Sequence, residues 1–173
     1  MKAGLTLMSA VFLATALAQS PAHFPELQSS NLQGRLFHMP GDFEGARNLL
    51  LIAFERHQQS NLDTWLHEMK RFEEIDPQFR YYELPTISRM NPVTRWFINS
   101  GMRRGIPDKK ARERTITLYI DKKPFENALE IHSEKTVYAI LVDREGNVLW
   151  RADGDFDEAK GESLRRYLTQ SSK

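Results

Sequence analysis

The continuous apolar run LLLIAF at residues 49–54 constrains the fold of this 173-residue chain more than any other feature. A run of this length without a polar residue is typical of a strand that is buried on both faces. Such a strand lies in the middle of a sheet that is covered on each side. The run therefore predicts the central strand of the fold.

The segments after this strand predict alternating helices and strands. Apolar residues recur at helical spacing from Leu62 to Phe72, and Asp76-Pro77 ends that helix. A strand at residues 79–84 would then lie parallel to the first one through a right-handed crossover. Asn91-Pro92 predicts another helix start, because proline is well tolerated at the first helical position. We expect the remaining elements to be a strand at 115–120, a short helix after Asp121, a hairpin of strands at 136–142 and 148–152, and a last helix from about Asp157.

The first 18 residues have the pattern of a secretory signal peptide. Lys2 precedes an uncharged, largely apolar run at residues 3–18, which ends in the small-x-small sequence Ala16-Leu17-Ala18. The alternatives are a membrane anchor or a buried helix, but the run is shorter than the roughly 20 residues that span a bilayer. We expect cleavage near Ala18 and export to the periplasm or beyond the cell, with residues 19–30 as a linker and residues 31–170 as one domain.

The composition argues against several classes of function. The chain contains no cysteine, so it has neither disulfides nor thiol chemistry. It carries 24 Lys and Arg against 23 Asp and Glu, and cleavage would remove Lys2, so the mature chain would be neutral. A neutral chain is not expected to be a dedicated nucleic-acid-binding protein.

Three segments resemble the thioredoxin-like superfamily, and within it the peroxiredoxin-type branch. NLQGRLFHMPGDFEGARNLLLIAF at 31–54 is similar to the family's first short strand and first central strand. TITLYIDKKPFENALEI at 115–131 is similar to its next strand and short helix, and TVYAILVDREGNVLW at 136–150 to its closing hairpin. The resemblance implies an α/β fold, a thioredoxin-like three-layer sandwich with a mixed central sheet and helices on both faces.

The redox centre of that superfamily is replaced in this sequence. Redox members carry cysteine where the first central strand meets its helix, and this chain has Gln58 to Leu62 there. Val137 or a neighbour stands in place of the proline that precedes the hairpin strand. Because neither an amide nor a hydroxyl replaces a thiolate nucleophile, we expect no thiol oxidoreductase or peroxidase activity. We also expect no cofactor.

A narrower resemblance is to the cysteine-free thioredoxin-like family that contains the mitochondrial ATP synthase assembly factor. It rests on FINSGMRRGIPDKKARERTITLYIDK at 97–122 and on LVDREGNVLW at 141–150. The resemblance implies a non-catalytic fold that holds a polypeptide. The expected export places this chain on the other side of a membrane, so only that general class of function carries over.

The first candidate site is the polar run at the predicted carboxyl end of the central strand, formed by Arg56, His57, Gln58, Gln59 and Ser60. Ligands of open α/β sheets bind outside such strand ends, and a helix start presents free N–H groups. The run could bind an extended peptide or an anion, or it could be a solvated loop that only caps a helix. An enzyme of a non-thiol class, or a small-molecule-binding protein, that uses His57 and Ser60 is the alternative function.

The second candidate site is the basic segment at residues 95–114, which has seven basic and two acidic residues. Its candidate partner-binding residues are Arg103, Arg104, Arg112 and Arg114. Beside Trp96 and Phe97, they would suit an anionic membrane surface or an acidic partner. In the alternative interpretation the aromatic side chains pack into the core, and Arg112 and Arg114 pair with carboxylates inside the fold.

No metal site is expected. His57, His67 and His132 lack the spacing of metal ligands. The run Asp153-x-Asp155-x-Asp157 copies the start of a calcium-binding loop, but its glycine and distal glutamate are misplaced, so it is better interpreted as a helix cap.

The leading hypothesis is an exported thioredoxin-like protein of the assembly or chaperone type, which binds another protein and catalyses nothing.

Overall fold

The computed structural model describes residues 22–170, which contain seven strands and six α-helices. The strands are β1 (Leu27–Ser30), β2 (Leu36–Met39), β3 (Arg47–Ala53), β4 (Phe79–Ser88), β5 (Leu118–Ile120), β6 (Tyr138–Val142) and β7 (Val148–Asp153). The helices are α1 (Gln59–Leu66), α2 (Met69–Ile75), α3 (Pro92–Gly105), α4 (Lys109–Arg114), α5 (Lys122–Ala128) and α6 (Glu158–Gln170), and a 3₁₀ turn at Arg56–Gln58 precedes α1. The signal peptide predicted at residues 1–18 lies outside the described residues.

A five-stranded mixed sheet with the order β5-β4-β3-β6-β7 forms the centre of the domain. β3 lies in the middle, parallel to β4 and antiparallel to β6. Its residues from Asn48 to Ala53 are all buried, so the prediction from the apolar run is confirmed. β6 and β7 form the predicted antiparallel hairpin. Gly146 in its turn has a φ of +92°, a backbone conformation that favours glycine.

Apolar side chains form a separate core on each face of the sheet. On one face, Leu49 and Leu51 of β3 pack against side chains of α1, α2 and α6. On the other face, Leu50 and Ile52 pack against α5 and against the β1–β2 hairpin with the segments that flank it. This alternation along one strand produces the predicted three-layer α/β arrangement.

The N-terminal segment differs from the linker predicted at residues 19–30. From residue 22 onward it belongs to the domain, because Phe24 is fully buried and contacts Phe43 and Phe125 edge to face. β1, at the end of this segment, pairs antiparallel with β2. The polar, proline-containing composition suggested a linker, but one buried aromatic side chain and one strand pairing attach the segment to the fold.

The helices α3 and α4 connect β4 to β5 outside the sheet. Asn91 caps α3 as predicted, since its side-chain oxygen accepts a hydrogen bond from the backbone N–H of Thr94 at 2.9 Å. No side chain of either helix is buried. No helix among residues 22–170 is long and apolar enough to cross a membrane.

Candidate functional site

Gln58 occupies the centre of the junction between β3 and α1. The residue is only 2% exposed. Its side-chain oxygen accepts hydrogen bonds from the backbone N–H groups of Phe54 at 2.8 Å and Glu55 at 3.2 Å. Its amide nitrogen donates to the carbonyl oxygen of Glu134 at 2.7 Å. These three bonds tie the end of β3 to the loop before β6, so Gln58 holds the junction together and is not free to bind a ligand.

The other predicted residues of this run, Arg56, His57, Gln59 and Ser60, face solvent. The Nδ1 atom of His57 lies 3.1 Å from a carboxylate oxygen of Glu55. The Ser60 hydroxyl instead donates to the backbone carbonyl of His57 at 3.4 Å. A serine nucleophile needs a base in contact with its hydroxyl, and the imidazole does not provide that contact here.

A charged cluster adjoins Gln58 on the loop before β6. Glu134 forms an ion pair with Lys122 at the start of α5, and the Lys122 ammonium lies 5.7 Å from the centre of the Phe54 ring. The hydrogen bond from Lys122 lowers the pKa of Glu134, whereas burial raises the pKa of neighbouring Glu126. The cluster fixes the loop against α5 and the end of β3. Sequence reasoning missed it because its members are far apart in the chain and are individually ordinary charged residues.

Glu83 on β4 is a second group that sequence reasoning missed. It lies beside Leu51 on the sheet face that carries α1, and it is only 5% exposed. The side-chain nitrogen of Gln59 approaches its carboxylate at 3.5 Å. Burial raises the pKa of the Glu83 carboxyl. In the sequence, the one feature that could have indicated a buried acid was a glutamate among largely apolar residues, in YYELP at 81–85.

Arg112 and Arg114 were predicted, in one alternative, to pair with carboxylates, and among the described residues only Arg114 does so. Arg114 forms an ion pair with Glu73 at 2.8 Å, and its guanidinium lies 4.2 Å from the centre of the Tyr81 ring. Burial lowers the pKa of the Arg114 guanidinium, but the neighbouring Tyr81 and Glu73 raise it by more. The pKa of Arg114 therefore lies above its ordinary value. Arg112 donates to two backbone carbonyls in the loop between α3 and α4.

A cleft of about 420 Å³ lies beside β2, β4 and α4 and includes Arg114. Arg35, another cation of this cleft, forms an ion pair with Glu44. Because Arg114 pairs with Glu73, the charges of both arginines are balanced within the fold. Arg80 and Lys110 also line the cleft, so its lining has four cationic side chains against two acidic ones, Glu44 and Glu113.

Arg103 and Arg104, in the last turn of α3, are exposed. Neither side chain makes a hydrogen bond or an ion pair among residues 22–170. Trp96 and Phe97 on the same helix are 60% and 61% exposed, so the interpretation in which these aromatic side chains pack into the core is wrong. Among residues 22–170, no hydrogen bond or ion pair joins the 56–60 run to the four predicted arginines of the basic segment.

Among residues 22–170, no group of three or more His, Asp or Glu side chains is arranged to hold a metal ion. Asp157 accepts a hydrogen bond from the backbone N–H of Lys160 at 2.8 Å. It therefore caps α6, which confirms the helix-cap interpretation. Asp155 accepts a hydrogen bond from the side chain of Asn61 at 2.6 Å and links this turn to α1.

Comparison with solved structures shows that the fold is thioredoxin-like. The chain is similar to the thioredoxin domain of a thiol-disulfide oxidoreductase from Bacteroides vulgatus, with a TM-score of 0.55 and 15% identity, covering 87% of this chain and 99% of that one. It is similar to a thiol:disulfide interchange protein of the thioredoxin family from Chlorobium tepidum TLS, with a TM-score of 0.54 and 11% identity, covering 88% and 97% of the two chains. It is also similar to the pneumococcal exposed lipoprotein thioredoxin from Streptococcus pneumoniae strain TIGR4, with a TM-score of 0.50 and 11% identity, covering 82% and 98%.

No protein-family model and no curated protein matches the sequence. At these identities the structural neighbours show the fold alone. Thiol-disulfide exchange, which their names describe, needs a thiolate, and this chain has no cysteine to supply one.

Proposed function

We propose that this protein is an exported, non-redox thioredoxin-like protein that binds another protein at the β3–α1 junction. The observation that carries the proposal is the position of Gln58. Where redox relatives would carry a reactive thiol, a neutral amide is buried and makes three hydrogen bonds to the backbone. This arrangement gives a rigid surface and no nucleophile.

The side chains on the outside of this junction support a binding role. Arg56, His57 and Ser60 are exposed and project from the turn that Gln58 anchors. The loop that carries Glu134 is held beside them by the ion pair with Lys122. Polar donors on a rigid base suit recognition of a polypeptide, because little conformational entropy is lost when they bind.

Export is supported by the sequence and by one structural neighbour. The apolar run at residues 3–18, after Lys2 and before Ala18, has the pattern of a signal peptide. The neighbour from Streptococcus pneumoniae is an exposed lipoprotein. Both observations favour a place of action outside the cytoplasm.

A role in assembling or holding another polypeptide follows from the narrower family resemblance. The resembling segments, 97–122 and 141–150, cover most of α3, all of α4 and β5, and much of the β6–β7 hairpin. The family containing the ATP synthase assembly factor is cysteine-free, like this chain. We infer the same general class of function, a scaffold for another protein, and not the same client.

Affinity capture of the full chain from its native compartment tests the proposal. The variant Arg56→Glu/His57→Glu reverses the charge of the junction surface, and Arg165→Glu/Arg166→Glu on α6 is the matched control. We expect the unmodified chain and the α6 control to retain the same protein, and the junction variant to lose it. Recovery of no protein in any condition, or equal recovery with the junction variant, would overturn the proposal.

A further inference from the structure

We propose that α3 docks on an anionic membrane surface through its outer face, which consists of Val93, Trp96, Phe97 and Arg104. This inference is independent of the proposed protein-binding function. It rests on the orientation of α3, on the exposure of its apolar residues and on the charge of the surrounding segment.

The orientation of α3 leaves its largest apolar side chains outside the domain, unlike that of an ordinary surface helix. With 3.6 residues per turn, the four outer-face residues share one side of the helix, and Arg95, Asn99 and Met102 share the opposite side. The latter side contacts the domain: Asn99 accepts a hydrogen bond from the Tyr119 hydroxyl at 2.8 Å, and Arg95 lies 5.1 Å from the centre of the same ring. A surface helix normally turns its apolar side inward. Here the inward side mixes polar and apolar residues, and the two aromatic side chains of the helix are left for a surface outside the domain.

The apolar residues of the outer face form a cluster and are not scattered. Val93, Trp96 and Phe97 are 66%, 60% and 61% exposed. Among residues 22–170 the other exposed large hydrophobic residue is Leu36, so three of four such side chains lie on one turn of α3. The Trp96 and Phe97 rings contact each other edge to face, with their centres 5.1 Å apart. Contiguous exposed apolar surface of this kind marks an interaction site.

The charge around α3 selects an anionic surface. Residues 88–107 contain four arginines and no acidic residue, although the chain as a whole is nearly neutral. The side chains of two of those arginines, Arg103 and Arg104, make no hydrogen bond or ion pair among the described residues. Tryptophan and arginine on one helix are typical of the boundary between lipid headgroups and acyl chains.

The small size of the apolar cluster favours a membrane over a protein. A stable protein interface buries about 800 Å² on each partner, and three side chains on one helical turn fall well short of that area. Shallow insertion of a few apolar side chains, assisted by basic residues close to anionic lipids, is enough for peripheral membrane binding. We therefore assign the outer face of α3 to a membrane.

Quenching of Trp96 fluorescence by brominated lipids tests this proposal at the site itself. The full chain has three tryptophans, of which Trp65 is fully buried and Trp150 is half-buried, so Trp96→Phe isolates the signal of α3 by difference. The probe is a vesicle of dibrominated phosphatidylcholine with phosphatidylglycerol, compared with dibrominated phosphatidylcholine alone. We expect Trp96 to be quenched on the anionic vesicles, and raised salt to weaken the binding. All samples begin at residue 19, the form expected after cleavage near Ala18, so the apolar run at residues 3–18 does not contribute to vesicle binding.

Charge variants make the outcome decisive. We expect Arg103→Gln/Arg104→Gln to reduce binding to the anionic vesicles about tenfold or more, and the matched pair Arg165→Gln/Arg166→Gln on α6 to leave it nearly unchanged. Absence of Trp96 quenching on anionic vesicles, or equal quenching on neutral ones, would overturn the proposal. A further outcome would also overturn it: the lipid-free protein is a dimer, and Trp96→Ser/Phe97→Ser converts that dimer to a monomer. The outer face would then be an interface between copies of the chain.

Discussion

Gln58 binds three backbone groups that belong to two segments far apart in the chain, since Glu134 follows it by 76 residues. Its burial and its hydrogen bonds explain why a glutamine, and not a smaller polar residue, stands at the junction. A serine at this position would be too short to reach both the end of β3 and the loop before β6. At the scale of single residues, Gln58 is thus a structural link between the end of β3 and the loop before β6.

We expect Gln58→Ala to lower the free energy of unfolding by about 3 kcal/mol, because it leaves buried backbone groups without partners. The matched control is Gln28→Ala on β1, because Gln28 is exposed and its side chain makes no hydrogen bond among the described residues, so its effect should stay within about 0.5 kcal/mol. Urea denaturation of the three proteins measures the difference. Equal, small effects of both substitutions would contradict the structural role of Gln58.

Glu83 predicts a particular dependence of stability on pH. Burial raises the pKa of its carboxyl in the folded protein above the ordinary value of 4.5, so the folded chain retains this proton to a higher pH than the unfolded chain. The contribution of Glu83 to the free energy of unfolding is therefore full at low pH and decreases as the pH rises from 4.5 through the raised pKa.

We expect Glu83→Gln to remove this decrease. The variant should be more stable than the unmodified protein at neutral pH, and the advantage should shrink as the pH falls through the raised pKa towards 4.5. Urea denaturation across this range, with exposed Glu145→Gln as the control, measures the difference between the curves. An advantage of the variant that grows as the pH falls would show that the sign is wrong.

Among the elements, those with a local sequence signal were predictable. The apolar run at 49–54 predicted β3, Asn91-Pro92 predicted the start of α3, and residues 136–152 predicted the β6–β7 hairpin. The orientation of α3 was not predictable, because Val93, Trp96 and Phe97 form the same stripe whether it faces the core or solvent. Which side faces the sheet depends on partners such as Tyr119, and local sequence does not reveal them.

The same distinction applies to the candidate site. Its location at the carboxyl end of β3 followed from the sequence, and so did the absence of a thiol. The role of Gln58 did not, because it depends on Glu134, and neither did the burial of Glu83, because it depends on α1 packing over β4. Residues that act through distant partners look like ordinary polar residues in the sequence.

Asn91 should stabilise α3 locally. The helix buries no side chain, so its start depends strongly on the cap that Asn91 provides to Thr94. We expect Asn91→Ala to cost about 1 kcal/mol, which corresponds to roughly fivefold faster hydrogen exchange of the α3 amides. The amides of α6, whose cap at Asp157 is untouched, are the control in the same sample. Unchanged exchange in α3, or an equal acceleration in α6, would contradict a local role for the cap.

At the scale of the whole molecule, a complete thioredoxin-like fold is combined with two surfaces that serve no redox chemistry. One is the junction held by Gln58, and the other is the outer face of α3. Two separate cores, one on each side of the sheet, support both surfaces. Among the described residues no hydrogen bond or ion pair joins the two surfaces, so variants at one surface serve as controls for the other.

Site-specific photo-crosslinking in the native compartment tests the central claim most directly, namely that the β3–α1 junction holds another protein. A photoreactive phenylalanine derivative replaces His57 at the junction in one variant and Arg165 on α6 in the matched control, both at exposed positions. We predict a discrete covalent adduct with another protein from position 57 and none from position 165. The absence of a protein adduct from position 57, or the same adduct from both positions, would contradict the claim.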